Sequence, residues 1–457
     1  MKRITRVLIA NRSEIAVRVI RACRDLGIQS VVAVSEADKE SLPAKMADRS
    51  VCIGPAKATE SYLKVNTIIS AALGTGADAV HPGYGFLAEQ PDLPEACAKY
   101  GLIFIGPTAD NIRKMGDKVL ARKIAKELGI PVIPGSELVR DDKEAMRVAE
   151  EVGYPVLLKA AAGGGGKGMK IIEEPKDVKI IFQEASAEAH AAFGDDRIYA
   201  ERLIPNARHI EVQIIGNGHG EVVHLFERDC SLQRRYQKMV EEAPSPIVSN
   251  ELRKKICGSA IRIAQYVKYQ NAGTVEFILD RDQGQFYFLE MNTRIQVEHP
   301  VTEMATGVDL VREQIRIASG EPPSFSQDEV RLKGHAIECR INAESSAEGF
   351  RPCPGLITKW IPAEGQGIRV DSHCYSGYFV PPYYDSLLAK IITVGKDRGE
   401  AIERMQYALN KFVVSGVDTT IPFHQYILQH PDYIYSKVNT RWVEDTLLKE
   451  YGQHERN

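Results

Sequence analysis

Tyr154-Pro155-Val156-Leu157-Leu158-Lys159-Ala160-Ala161-Ala162-Gly163-Gly164-Gly165-Gly166-Lys167-Gly168-Met169-Lys170-Ile171-Ile172 is the stretch from which the fold reads outward. Four consecutive glycines on their own suit a flexible linker, because Gly-rich chain behaves as random coil. A linker has polar, unstructured flanks. Here the flanks are two apolar runs that read as strands, the first ending on Lys159. A glycine tip between strands lays backbone N–H groups, unobstructed by side chains, against phosphate oxygens. The expectation is therefore a lid over a phosphate chain, made by Gly163, Gly164, Gly165 and Gly166. It is not a Walker A loop, since Lys167 is followed by Gly168 rather than Ser or Thr, and by a strand rather than a helix.

Upstream of this stretch, short β-branched runs alternate with helical ones. Arg6–Ala10 and Val31–Val34 read as strands, Ala79–Gly85 as a strand end followed by a loop and Leu102–Pro107 as a strand with a stop, and Glu14–Leu26 has helical spacing that stops at Gly27. Such alternation predicts a parallel sheet covered on both faces, an α/β fold, over residues 1–112. A helix from Lys118 to Leu128 follows, stopped by Gly129 and Pro131. A second segment spans 113–330, with the lid at about 130–205; residues 198–290 are mostly strands around one helix near 250–268. A third segment, 331–448, has a Pro/Gly-rich middle and a helical end. The tail 449–457 is polar and expected to fray.

Downstream lies an acidic hairpin. Ala272–Leu279 and Phe286–Asn292 alternate like strands, and pairing them about a three-residue loop at Asp282-Gln283-Gly284 sets Glu276 opposite Glu290, with Asn292 on the same face. Two carboxylates ~4 Å apart repel by ~4 kcal/mol at a surface-like dielectric. A hard divalent cation removes that cost and suits oxygen ligands; an exposed pair balanced by lysines is the other reading. Immediately after, Arg294, Gln296 and Glu298 alternate and, if extended, project to one side. A guanidinium, an amide and a carboxylate on one face can hold a small oxyanion and take its proton; a polar strand face beside solvent is the alternative. Glu227–Lys238 is dense in charge without helical amphipathicity, which reads either as a solvated loop or as a basic loop over an anionic site, with Lys238 as its working cation.

The 457 residues carry 58 Lys+Arg against 61 Asp+Glu, a net charge of −3. That balance gives no electrostatic case for binding nucleic acid. The eight cysteines form no C-x-x-C pair, so neither a zinc site nor a disulfide framework is expected, and a reducing, cytoplasmic setting fits. No apolar run approaches the ~20 residues of a membrane span.

Ile9–Arg12, His81–Leu87, Met115–Lys118, the glycine loop, Glu227–Ser231, Glu290–His299 and Glu338–Glu344 occur together in one family. Through these motifs nearly the whole chain resembles the biotin carboxylases of the ATP-grasp superfamily. The resemblance implies an N-terminal Rossmann-like domain, a central ATP-grasp domain with a lid subdomain and a C-terminal α+β domain. It implies that Lys118 and Lys159 contact phosphates and that the backbone of Glu201, Arg202, Leu203 and Ile204 meets adenine. His209, Gln233 and Tyr236 would lie in the nucleotide pocket, and Glu276, Glu290 and Asn292 would hold Mg²⁺ or Mn²⁺, two ions per site. Lys238, Arg294, Gln296 and Val297 would cradle bicarbonate, Glu298 would be the general base, and Arg340 would face biotin. The implied reaction consumes ATP and bicarbonate, passes through carboxyphosphate and carboxylates biotin. Met169-Lys170-Ile171 is a poor biotin acceptor, so biotin is expected on a separate carrier protein. A separate carboxyltransferase subunit would complete the transfer, with acetyl-CoA as the expected acceptor and pyruvate or another acyl-CoA as the alternative. A homodimer is implied, with Arg21 and Asp25 on a helix toward the partner. Ser13 and Tyr236 depart from the usual Asn-Arg-Gly-Glu and Gln-Arg-Arg-x-Gln-Lys patterns, the latter having His or Asn where Tyr236 stands. The rivals are another ATP-grasp ligase, which would not share Arg294-x-Gln296-x-Glu298 with Arg340; a dehydrogenase, which the absent G-x-G-x-x-G opposes; and a non-catalytic nucleotide binder, which the presence of Lys238, Arg294 and Glu298 opposes.

Overall fold

The structure, a computed structural model, describes residues 3–136, 138–161 and 169–454; the glycine run Gly163–Gly166 lies outside them. The N-terminal strands form a five-stranded parallel sheet in the order Arg49–Cys52, Gln29–Val34, Arg6–Ile9, Ala79–His81, Ile103–Phe104. Its inner strands are apolar on both faces because helices cover both, as the continuous run Val7-Leu8-Ile9 anticipates. Ser13 opens the first helix, Ser13–Asp25, at φ 64°. A side chain there costs about 1–2 kcal/mol relative to glycine, offset in part by a 2.9 Å bond between Ser13 Oγ and the buried ring of His373. The residue that replaces the usual glycine thus clips the N-terminal sheet to the C-terminal segment. Arg21 and Asp25 are exposed on this helix.

The centre is one eight-stranded antiparallel sheet, ordered Gln285–Asn292, Gln270–Asp280, Ala207–Asn217, Val222–Arg234, Gln237–Ala243, His335–Asn342, Leu387–Gly395, Ile368–Ser372. Helix Asn250–Tyr266, capped by Ser249, lays Ile256, Ala260 and Ile263 on one face against Val212, Val275 and Phe277. The last three strands come from the C-terminal segment, so the central and C-terminal parts share a single sheet and Arg340 lies one strand away from Lys238. A smaller three-stranded sheet, Lys170–Ile172, Val156–Ala160, Ile198–Arg202, packs helices Asp142–Val152 and Val178–Phe193 on a core of its own.

Several elements differ from expectation. Glu227–Lys238 is not a loop. It is most of strand Val222–Arg234, a two-residue turn at Arg235 and Tyr236, and the start of Gln237–Ala243. Glu227, Arg228 and Asp229 are buried and paired with Arg253, Glu211 and Arg208, which a composition-based reading counts as exposure. The polar tail is helical from Leu448 to His454, because Tyr451 is buried against Phe423 and Tyr426. No helix of the described residues is long and apolar enough to cross a membrane.

Candidate active site

The acidic hairpin forms, but not about the expected loop. Asp280 pairs with Gln285 across a four-residue turn, and a bulge between Phe288 and Glu290 shifts the register by one. The two irregularities compensate, so Glu276 still faces Glu290, and Thr274 faces Asn292. Glu276 is buried and receives Asn292 Nδ2 at 2.5 Å, Gln296 Nε2 at 2.6 Å and Lys238 Nζ at 3.3 Å on Oε1, with His209 Nε2 at 2.7 Å on Oε2. Burial would raise its carboxyl, but Lys238 and His209 outweigh that and hold it far below the usual range. Gln233 bonds the other nitrogen of His209 at 2.8 Å. Carboxylate and amide oxygens at Glu276, Glu290 and Asn292, with Glu211 beside His209 and Glu276, make a donor set suited to a hard cation.

Lys118, the first residue of a helix capped by Asp117, reaches Glu290 at 3.0 Å. Burial pulls its ammonium down and Glu290 more than restores it. Lys159, on the strand entering the lid, is 2.6 Å from Glu201 Oε2, while Arg122 takes Oε1. Burial, Lys118 and Arg122 together pull Lys159 down to about 7. Arg202 N and Leu203 N donate to Pro134 O and Pro155 O at 2.9 and 3.1 Å. These two donors are thereby engaged within the sheet instead of facing the cavity.

Residues 293–298 are not extended. The chain bends after Asn292 and turns into helix His299–Thr306, with Glu298 at its N-cap. The three alternating side chains still converge: Arg294 and Gln296 are held by partners that the sequence alone did not flag, Glu298 by two that it did. Glu89, from the N-terminal domain, accepts from Arg294 Nε at 2.9 Å and from Thr293 N at 3.1 Å. Arg228, fully buried, donates to Gln296 Oε1 at 2.5 Å, and also to Glu211, Gln213, Thr274 and Thr302. Lys390 Nζ holds the carbonyl of Val297 at 2.8 Å and pairs with Glu14 at 2.9 Å. Glu298 itself is clamped: Lys238 Nζ lies 2.7 Å from Oε1 and Arg340 Nη2 2.8 Å from Oε2. Burial would raise its carboxyl, yet Lys238, Arg340 and Arg228 hold it well below the ordinary value.

All the described residues named above for the nucleotide, the metal, bicarbonate and biotin line one cavity of about 1060 Å³. Tyr236, 44 % exposed with φ 64°, stands at its rim beside Arg235 at φ 48°. Two such non-glycine residues in a tight hairpin are strained, and strain of this kind concentrates at functional sites.

Arg228 supports a stability prediction. Arg228→Met removes the cation facing Glu211 and leaves buried carboxylate and amide oxygens short of donors. The expected loss is about 3–5 kcal/mol, read as a lowered urea unfolding midpoint.

Residues 3–112 match the biotin carboxylase N-terminal domain, 117–324 the carbamoyl-phosphate synthase L chain ATP-binding domain, and 338–445 the biotin carboxylase C-terminal domain. The chain is 51% identical over 442 residues to biotin carboxylase 1 of Bacillus subtilis, covering 96% of this chain and 98% of that one. It belongs to the biotin carboxylase family. A pyruvate carboxylase subunit of Methanothermobacter thermautotrophicus is 50% identical, over 96% of this chain and 90% of that one. Among solved structures, the biotin carboxylase domain dimer of Hydrogenobacter thermophilus 2-oxoglutarate carboxylase, in complex with MgADP, ADP and bicarbonate, superposes with a TM-score of 0.94. It is 46% identical and covers 97% of this chain and 98% of that one. Biotin carboxylases are ATP-grasp ligases, and this chain is an enzyme of that class.

Proposed function

We propose that this biotin carboxylase uses ATP and bicarbonate to carboxylate biotin borne on a separate carrier protein, as the first half-reaction of acetyl-CoA carboxylase. The observation that carries the reading is the clamp on Glu298: one carboxylate held between Lys238 and Arg340, facing the acidic hairpin across a single cavity. Bicarbonate enters between Arg294, Gln296 and Lys238. As Lys238 and Arg340 turn toward it, they withdraw the charge that depresses Glu298, whose basicity rises when a proton must be taken. The deprotonated oxygen attacks the γ-phosphate in line, ADP leaves, and carboxyphosphate remains. Lys118 and Lys159 neutralise phosphoryl oxygens during transfer. Glu276, Glu290 and Asn292 would hold a divalent cation, which would supply further neutralisation of the phosphates. Carboxyphosphate divides into CO₂ and phosphate, phosphate removes the ureido N–H proton of biotin, and Arg340 and Arg294 hold the resulting oxyanion while its nitrogen adds to CO₂.

Relatives named for pyruvate and 2-oxoglutarate carboxylases match nearly the whole chain, so the acceptor is assigned to the carboxyltransferase partner. The dimer named for the Hydrogenobacter domain supports a homodimer here, with Arg21 and Asp25 on its outer helix. The test is ATP hydrolysis with Mg²⁺, with and without bicarbonate, then with free biotin. Hydrolysis that requires bicarbonate, with carboxybiotin as product, is expected; bicarbonate-independent hydrolysis sinks the reading. Label from bicarbonate should reach the biotin carrier of an acetyl-CoA carboxylase faster than that of a pyruvate carboxylase.

A further inference from the structure

Behind Arg340 lies a second pair of acids that the reaction above does not use. Glu241 and Glu338 are direct partners on the antiparallel strands Gln237–Ala243 and His335–Asn342, and both are fully buried. Direct partners on one sheet face bring their side chains together. Arg340 Nε donates to Glu241 Oε1 at 2.6 Å. Glu241 Oε2 and both oxygens of Glu338 have no hydrogen-bond partner among the described residues.

The charged groups around the pair are committed elsewhere. Lys390, opposite Arg340 on the next strand, serves Glu14 and the Val297 carbonyl. Lys238 serves Glu211, Glu276 and Glu298, and Arg340 divides itself between Glu241 and Glu298. Helix His299–Thr306 covers the neighbouring face with Val301 and Ala305 against Ala243 and Ala336. On that helix Glu303 is taken by Arg18 and Arg369, and His299 is kept neutral by burial and by Lys390. Burial, opposed by Lys390 and Arg340 and reinforced by Glu241 and Glu298, raises the Glu338 carboxyl well above its usual range. Two like acids at such a site keep one proton between them and titrate as a unit.

We infer that Glu241 and Glu338 share one proton and act as a positioning pair for Arg340. With the proton present, Glu338 donates to Glu241, the pair carries a single negative charge, and Arg340 stays extended toward Glu298 and the biotin end of the cavity. When the proton leaves, a second charge appears beside Arg340 and draws the guanidinium back. The inference rests on Arg340 facing biotin. It predicts that KM for biotin rises at alkaline pH as the pair ionises.

The test uses the full chain with Mg²⁺, ATP and bicarbonate. In Glu338→Gln the amide donates to Glu241 at every pH. KM for free biotin should therefore stay within about threefold of the parent at neutral pH and lose the alkaline rise. Glu338→Leu, which cannot donate, should raise KM at all pH values. Infrared difference spectroscopy of the parent across the same pH range should show the C=O stretch of a buried carboxylic acid that vanishes at high pH and is missing in Glu338→Gln. An absent band, or an alkaline rise unchanged in Glu338→Gln, overturns the shared proton. Because the band is independent of turnover, it separates failure of the pair from failure of the biotin reading, which would appear as a parent that makes no carboxybiotin.

Discussion

Glu298→Gln should lower bicarbonate-dependent ATP cleavage by about 10²–10⁴-fold, the range that a positioned general base contributes. Glutamine keeps the shape but cannot take the proton, and its NH₂ turns toward Lys238 or Arg340, which keep only their other anions, Glu211 and Glu276 for Lys238 and Glu241 for Arg340. The loss should fall on kcat. KM for ATP should hold, because Lys118 and Lys159 are held by their own partners, Glu290 and Glu201, rather than by Glu298. The same substitution changes acid stability. Glu298 is depressed in the folded protein, so its contribution is fully present above the ordinary glutamate value of about 4.3 and is lost only as pH falls through the depressed value. The parent should therefore lose stability in acid more steeply than Glu298→Gln. A fall in turnover of less than about tenfold would mean that another group takes the proton.

The reach of the sequence is clearest at the acidic hairpin. The alternation of 272–279 and 286–292 placed Glu276 opposite Glu290, although the turn is one residue longer and a bulge restores the register. Period-two patterning survives such compensations because the buried face, lined by Phe277 and Phe288, constrains the strands more than the turn does. The three alternating residues after Asn292 were legible as a group but not in their conformation, since a bend and an N-cap can gather side chains as a strand does. The supports were not legible. Arg228, Glu211, Glu241, Glu338 and Lys390 lie in strands whose charges read as surface until the pairing across 237–243 and 335–342 is known. Glu89 is invisible for a different reason: it reaches Arg294 from another domain, more than two hundred residues away. A buried salt-bridge network leaves no period in the sequence, because each member is specified by a partner on a different strand.

That network makes Glu276→Gln the more severe of two substitutions in the hairpin. Glu276 has four donors on its two oxygens, whereas Glu290 is 23% exposed at its side chain and pairs, among the described residues, with Lys118 alone. An amide at 276 turns an NH₂ toward His209, whose Nε2 must then give up its proton to accept, or toward the donors of Lys238, Gln296 and Asn292, so either orientation disturbs the network. Turnover should drop by about 10²–10³-fold, the scale of losing one preorganised electrostatic contact in a water-excluded site. The Mg²⁺ concentration for half-maximal activity should rise as well. Glu290→Gln frees Lys118 for phosphate, so its cost should fall on the Mg²⁺ dependence with a smaller loss of turnover. Mn²⁺ binding in the presence of ADP, followed by electron paramagnetic resonance, separates the two roles without turnover: both variants should bind the ion more weakly than the parent. Unchanged Mn²⁺ affinity in Glu276→Gln, with activity still lost, would assign Glu276 to holding Lys238 and His209 rather than to the cation.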